Sequence, residues 1–282
     1  MREYLPSVAV RRVRSMRNRC AKWREARALR HRLARHGVFS PDELHDKLLA
    51  NGVRQETVLL VHSAFGPFTN FQGSAIDVLA VLDRIAGDQG TIVMPAQPKA
   101  GAVVFDIDRS AVSTGLICEL FRRQEDAIRS LHPGQSVCAK GPKAHELTFE
   151  HHLDPLGCGR LSPFAKLVDL DSQILGLGLP PLWTTFLHVA EDLDLGAFPI
   201  SIYDGQRTFK VIDQQKTEQE LTIPLRDDRV LTRMNLKGMQ ARVSNSALNV
   251  FSIGGIPMFT AEPQALLEEL TTLSQSGITI YS

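Results

Sequence analysis

The sequence predicts an α/β protein built on a central, mostly parallel sheet, and three stretches carry that prediction. Val58-Leu59-Leu60-Val61, ending in His62-Ser63, and Gly90-Thr91-Ile92-Val93-Met94-Pro95 are apolar runs of strand length bounded by turn residues, as expected of strands buried on both faces. Between them Gly73-Ser74 opens an amphipathic pattern that runs through Ala86 and closes at Gly87. Strand, helix, strand at this spacing is a parallel βαβ unit. A third apolar run, Gln173-Ile174-Leu175-Gly176-Leu177-Gly178, meets the breaker Pro180-Pro181 and then a helix start near Thr184.

Composition sets the outer bounds. With 282 residues, 43% apolar and 22% charged, the chain suits one large α/β domain with a small appendage, and disordered or membrane-spanning classes do not fit. The N-terminus has no apolar core and small-residue cleavage site of a secretory signal, so a cytoplasmic location is expected. Cys20, Cys118, Cys138 and Cys158 are scattered without CxxC spacing, which indicates neither a disulfide framework nor a zinc knuckle.

The net charge of +1 conceals two unlike pieces. Residues 1–36 hold 12 Lys/Arg against Glu3 and Glu25, while residues 37–282 are net negative. In the first piece Val13, Met16, Cys20, Trp23, Leu29 and Leu33 recur at helical spacing among arginines. It reads as a basic amphipathic arm, suited to a weak contact with an anionic surface or to packing on its own domain or on a partner in a homodimer.

Residues 37–282 form the main domain. Ser40-Pro41-Asp42-Glu43 starts a helix that reaches about Asn51. Ser113-Thr114-Gly115 caps another helix through about Arg123, and Val137-Cys138-Ala139 is a short strand. A helix from about Pro142 carries His145, Glu146, Glu150, His151 and His152, and Ser162-Pro163-Phe164 starts one more. From residue 197 to 247 short alternating segments predict a small, partly antiparallel lobe inserted on the acceptor side, before a closing strand at 248–251 and a final helix at 263–274.

On a helix beginning near Thr184, His188 and Glu191 share one face. A carboxylate there can hold an imidazole as a general base; a capped surface helix with a solvated His and Glu is the plainer alternative. His145-Glu146-Leu147-Thr148-Phe149 lacks the second histidine of HExxH, and no third ligand accompanies His145 and His152, so no metal is expected. Cys118 and Cys138 fit core positions better than a nucleophile. No GxSxG, P-loop or GxGxxG occurs. The stretch Arg129-Ser130-Leu131-His132-Pro133-Gly134-Gln135-Ser136 and the His62-Ser63 strand end offer a guanidinium, hydroxyls and turn amides, donors suited to phosphates and carbonyls.

Taken jointly, His62-Ser63, Gly90 to Pro95, Thr114-Gly115 with Glu119 and Arg122-Arg123, Arg129 to Pro133 with Ser136, Gly141-Pro142-Lys143-Ala144, His152, Ser162-Pro163-Phe164 and Thr185-x-x-His188-x-x-Glu191 follow a known order. This ordered set, over about residues 40–195, resembles the aminoglycoside 3-N-acetyltransferase-like family. The resemblance implies a three-layer α/β/α sandwich and an N-acyltransferase that uses acetyl-CoA or another short acyl-CoA as co-substrate. By position it implies His188 as general base, Glu191 as its partner and Thr185 as an active-site neighbour. His62, Ser63, Arg129, Ser130, His132 and Ser136 would line the CoA and thioester site.

The acceptor end matches less well. The lobe lacks an acidic Asp-Phe-Asp type segment, and Asn245-Ser246-Ala247 stands where Gly-Asn-Ala is usual. The lobe holds eight Lys/Arg against six Asp/Glu, a balance that favours a nucleotide-activated amino sugar slightly over an aminoglycoside. The expected partner is thus a small-molecule amine, with no nucleic acid.

Overall fold

The computed structural model describes residues 27, 29–99 and 101–282. Most of the N-terminal arm, including Val13, Met16, Cys20 and Trp23, therefore lies outside the described residues. Its last part, 29–36, is helical, and there Arg32 donates to Thr69 Oγ1 at 2.9 Å and to the Pro67 carbonyl.

The main domain follows the predicted order at first. Helix α1 (Pro41–Ala50) begins with a capping box in which Ser40 and Glu43 satisfy each other's backbone amides. Strand β1 (Val58–Ser63), helix α2 (Ala75–Ala86) and strand β2 (Thr91–Pro95) form the parallel unit, with Val58 opposite Thr91. Ser74 and Asp77 box the start of α2 and Gly87 ends it.

Next come β3 (Val104–Asp106), α3 (Leu116–Arg122), β4 (Ile128–Arg129), β5 (Val137–Lys140), α4 (Ala144–Thr148) and α5 (Pro163–Lys166). Strand β6 (Ser172–Leu177) pairs in parallel with β1 along its whole length. Helix α6 (Leu187–Leu193) precedes the hairpin β7 (Tyr203–Ile212) and β8 (Glu218–Arg226), two short helices α7 (Asp228–Leu231) and α8 (Leu236–Gln240), strands β9 (Leu248–Ile253) and β10 (Ile256–Ala261), and α9 (Pro263–Gln275).

The large sheet has seven strands in the order β4-β5-β2-β1-β6-β10-β9. It is mixed: parallel pairing is confined to β2-β1-β6, and both flanks are antiparallel. The expectation of a mostly parallel sheet holds only for this centre. β10 was not predicted, because Pro257 weakens its strand signal, yet Gly254-Gly255, both at positive φ, make the tight turn that folds it back on β9.

Alternate side chains of the central strands enter two cores. Leu59 and Val61 join Leu44, Val78 and Ile117 on one face; Val58 and Leu60 join Phe164, Val189 and Leu266 on the other. Helices thus cover both faces of the sheet, giving the three-layer α/β/α sandwich.

The lobe differs from its predicted limits. β7 and β8 pair antiparallel as expected, but β3, nearly a hundred residues earlier, adds to β7 in parallel. Phe105 on β3 packs with Phe209, Val211 and Ile223 in a third, smaller core. Burial of that phenylalanine supplies the drive, at roughly 1.5–3 kcal/mol for a fully buried large side chain.

Candidate active site

Because β1, β2 and β6 run parallel, their carboxyl ends share one edge of the sheet, where ligands bind in open α/β folds. A cleft of about 820 Å³ opens there. His62 and Ser63 line it at the end of β1, Gln97 just beyond β2, and Trp183, Thr185 and His188 after β6. Leu116 at the start of α3 and Arg226, Leu231 and Met234 of the lobe complete the wall. Ser113 and Thr114 do not cap α3 as predicted: the N-cap is Gly115, and Thr114 Oγ1 instead donates to the Pro95 carbonyl at 2.6 Å, tying α3 to the end of β2.

Helix α6 begins at Leu187, three residues later than the sequence suggested, which leaves the His188 to Glu191 spacing intact. His188 Nδ1 lies 2.9 Å from Glu191 Oε2. The bond places the neutral imidazole's proton on Nδ1 and leaves Nε2 as the acceptor nitrogen. The plainer alternative of a solvated pair is excluded, since Glu191 is 1% exposed. Burial pushes the Glu191 carboxyl up, but His188, Arg226 and Tyr281 outweigh it and hold the group below its usual range.

Thr185 and His62 meet at the next turn of the wall. The Thr185 amide donates to His62 Nε2 at 2.9 Å, so the neutral ring carries its proton on Nδ1, which has no partner among the described residues. Burial lowers the His62 pKa to about 3. The Thr185 hydroxyl also lies 3.3 Å from His62 Nε2, so both donors of Thr185 face that ring. Ser63 offers the cleft a hydroxyl, 3.9 Å from Cys118 Sγ.

The Arg129 to Ser136 stretch takes a different place from the one expected. Arg129 is buried against Phe105, and its guanidinium donates to the carbonyls of Ile107, Ser110 and Ala96. Ser130 Oγ bonds His151 Nδ1 at 2.8 Å and accepts from the Val137 amide. His132 Nδ1 accepts from the amides of Gly134 and Gln135, and its ring stacks on His151. Ser136 Oγ donates to the Ala96 carbonyl at 2.6 Å. None of these four side chains lines the cleft; of this stretch only Gln135 does. Where they were expected to line the CoA site, Arg129 and Ser136 spend donors on buried carbonyls, Ser130 bonds His151 and His132 accepts from its own turn, so the four brace β4 and the loop after β2.

The structure adds residues that no local pattern marked. Arg226, at the end of β8, reaches Glu191 through Nη1 and Asp192 through Nη2, the latter at 2.7 Å. Tyr203 Oη donates to Asp192 at 2.7 Å and Tyr281 Oη to Glu191 Oε1 at 2.8 Å. Asp192 also accepts from the Cys158 amide. Among other lobe cations, Lys210 pairs with Glu218, Lys216 with Asp108, and Arg229 with Asp204 and Asp227. Of the lobe cations, Arg226 is the one on the cleft wall, and its charge is met by Glu191 and Asp192.

Among the described residues no group of three His, Cys, Asp or Glu side chains is arranged to hold a metal ion, and no helix is long and apolar enough to cross a membrane.

A buried carboxylate behind a histidine, at the cleft of a three-layer α/β/α sandwich, defines an α/β protein with an oriented imidazole at its sheet edge. The aminoglycoside 3-N-acetyltransferase family model matches residues 60–235, and the chain belongs to that family. It is 30% identical over 207 residues to the SPbeta prophage-derived aminoglycoside N(3')-acetyltransferase-like protein YokD of Bacillus subtilis, covering 62% of this chain and 75% of that protein. It is 34% identical over 154 residues to aminoglycoside N(3)-acetyltransferase IV of Salmonella sp., covering 53% of this chain and 57% of that enzyme. The solved AAC-IIIb binary complex with CoASH has the same fold, with a TM-score of 0.70 at 23% identity over 86% of this chain and 98% of that one.

Proposed function

We propose that this protein transfers an acetyl or other short acyl group from CoA directly to an amine of an aminoglycoside, with His188 as general base. The observation that carries the reading is the 2.9 Å bond from His188 Nδ1 to buried Glu191, on the wall of the cleft at the parallel edge. An alkylammonium is no nucleophile until a base takes its proton, and a carboxylate-oriented imidazole suits that task. Glu191 stabilises the imidazolium that forms. In this reading the Ser63 hydroxyl on the cleft wall donates to the oxyanion of the tetrahedral intermediate, and the Thr185 hydroxyl, 3.3 Å from His62 Nε2, is the second donor once it turns from that ring.

Two findings support CoA and aminoglycoside as the substrates: the Salmonella relative is named an aminoglycoside N(3)-acetyltransferase and AAC-IIIb was solved with CoASH, and the lobe cation on the cleft wall, Arg226, is already paired with Glu191 and Asp192. The apolar part of the wall, including Leu116 and Trp183, suits the pantetheine arm. Such an enzyme works in the cytoplasm, where acyl-CoA is found.

A panel of acyl-CoA donors against amines, read as free-thiol release, tests the reading. Release with gentamicin-class or kanamycin-class amines and none with dTDP- or UDP-amino sugars is the expected outcome. The reverse pattern overturns the acceptor, and no release with any amine overturns acyl transfer.

A further inference from the structure

Glu191 lies where three separate parts of the chain converge. Its Oε2 receives His188 from the same helix and Arg226 from β8; its Oε1 receives Tyr281 from the segment after α9. That segment is itself anchored. The Ile280 carbonyl accepts from the Asn235 amide at 2.7 Å, the Tyr281 amide donates to Thr279 Oγ1, and Arg233 donates to the Tyr281 carbonyl. Tyr281 is 3% exposed, so its hydroxyl has no water to turn to and the carboxylate is its partner.

We propose that Tyr281 is a positioning residue for catalysis, fixing the plane of the Glu191 carboxylate and moderating its hold on the protonated His188. The proposal rests on the general-base reading above. The terminal torsion of a glutamate is broad when free. Here a donor on each oxygen removes that freedom, so the imidazole meets one carboxylate orientation.

Each donor also draws off negative charge that would otherwise stabilise the imidazolium. Without the Tyr281 hydroxyl, the Glu191 carboxylate keeps more of its charge and holds the imidazolium more tightly. The other groups facing the dyad are Asp192 on α6, Arg226 on β8, Tyr203 on β7, Cys158 in the loop before α5 and His62 through Thr185. All of them are left in place when Tyr281 is changed to Phe.

The test is Tyr281→Phe, which removes one oxygen and keeps the ring, assayed with acyl-CoA and the best amine of the panel. The expected result is a fall in kcat of about three- to tenfold with the acyl-CoA KM unchanged. The acid limb of kcat/KM should also move up by about half a pH unit or more. In a Glu191→Gln background the same change should have little further effect on kcat. A fall in kcat with an unmoved acid limb, or an equal effect in the Glu191→Gln background, would assign Tyr281 to structure alone and overturn the proposal. Wild-type behaviour of Tyr281→Phe overturns it too. If His188→Ala retains wild-type turnover, it is the general-base reading that fails; an inactive His188→Ala beside an unaffected Tyr281→Phe removes only this inference.

Discussion

His188 and Glu191 sit three residues apart on one short helix, and their side chains meet at 2.9 Å, with the carboxylate buried and the imidazole on the cleft wall. His188→Ala is therefore expected to lower turnover by about two or more orders of magnitude, with little change in acyl-CoA affinity. Glu191→Gln should cost less, because the amide still holds the ring by a hydrogen bond. Steady-state kinetics on both variants, with calorimetric titration of acyl-CoA, checks the pair.

Arg226 neutralises two buried carboxylates at once, so Arg226→Leu should destabilise the fold by about 3–5 kcal/mol, the loss seen when a buried charge is left uncompensated. Urea denaturation gives the number. A loss under about 1 kcal/mol would show that the pair is not buried as described.

Arg129→Met should act on stability, not on the cofactor. It strips donors from the carbonyls of Ile107, Ser110 and Ala96, at a cost of about 2–4 kcal/mol. The acyl-CoA KM of the folded fraction should stay within about twofold of wild type. A large rise in KM with unchanged stability would restore the guanidinium to the CoA site.

Stability should fall as pH drops below neutrality. Burial holds His132 at about 4 and His62 at about 3, against 6.5 in the unfolded chain. Above pH 6.5 both are neutral in either state. As pH falls below 6.5 the unfolded chain takes up protons that the native protein refuses, so stability declines until the folded pKa values are reached. By pH 5 the loss approaches about 2 kcal/mol for each histidine. Denaturation midpoints at pH 7.5 and pH 5 measure it, and equal midpoints would contradict the buried, neutral assignment.

Cys118, Cys138 and Cys158 should resist alkylation in the native protein. All three are buried, and burial pushes each thiol up, Cys138 to about 12. Peptide mapping after iodoacetamide treatment at neutral pH should find them unmodified, with activity retained. Rapid labelling of Cys118 that acyl-CoA prevents would revive a thiol nucleophile.

Much of this architecture is legible in the sequence. The apolar runs at β1, β2 and β6, the Ser40 and Ser74 caps and the His188 to Glu191 spacing are encoded within windows of a few residues, where periodicity and capping act. That information sufficed for the parallel centre and for the dyad. Pairings between distant segments left no such mark. Nothing near Phe105 announces that β3 will join β7, and nothing near Arg129 shows that its donors will be consumed by three carbonyls. Arg226 and Tyr281 reach Glu191 across 35 and 90 residues of chain. Such contacts form because a buried carboxylate must find donors wherever the packed elements supply them, and that supply is a property of the assembled layers.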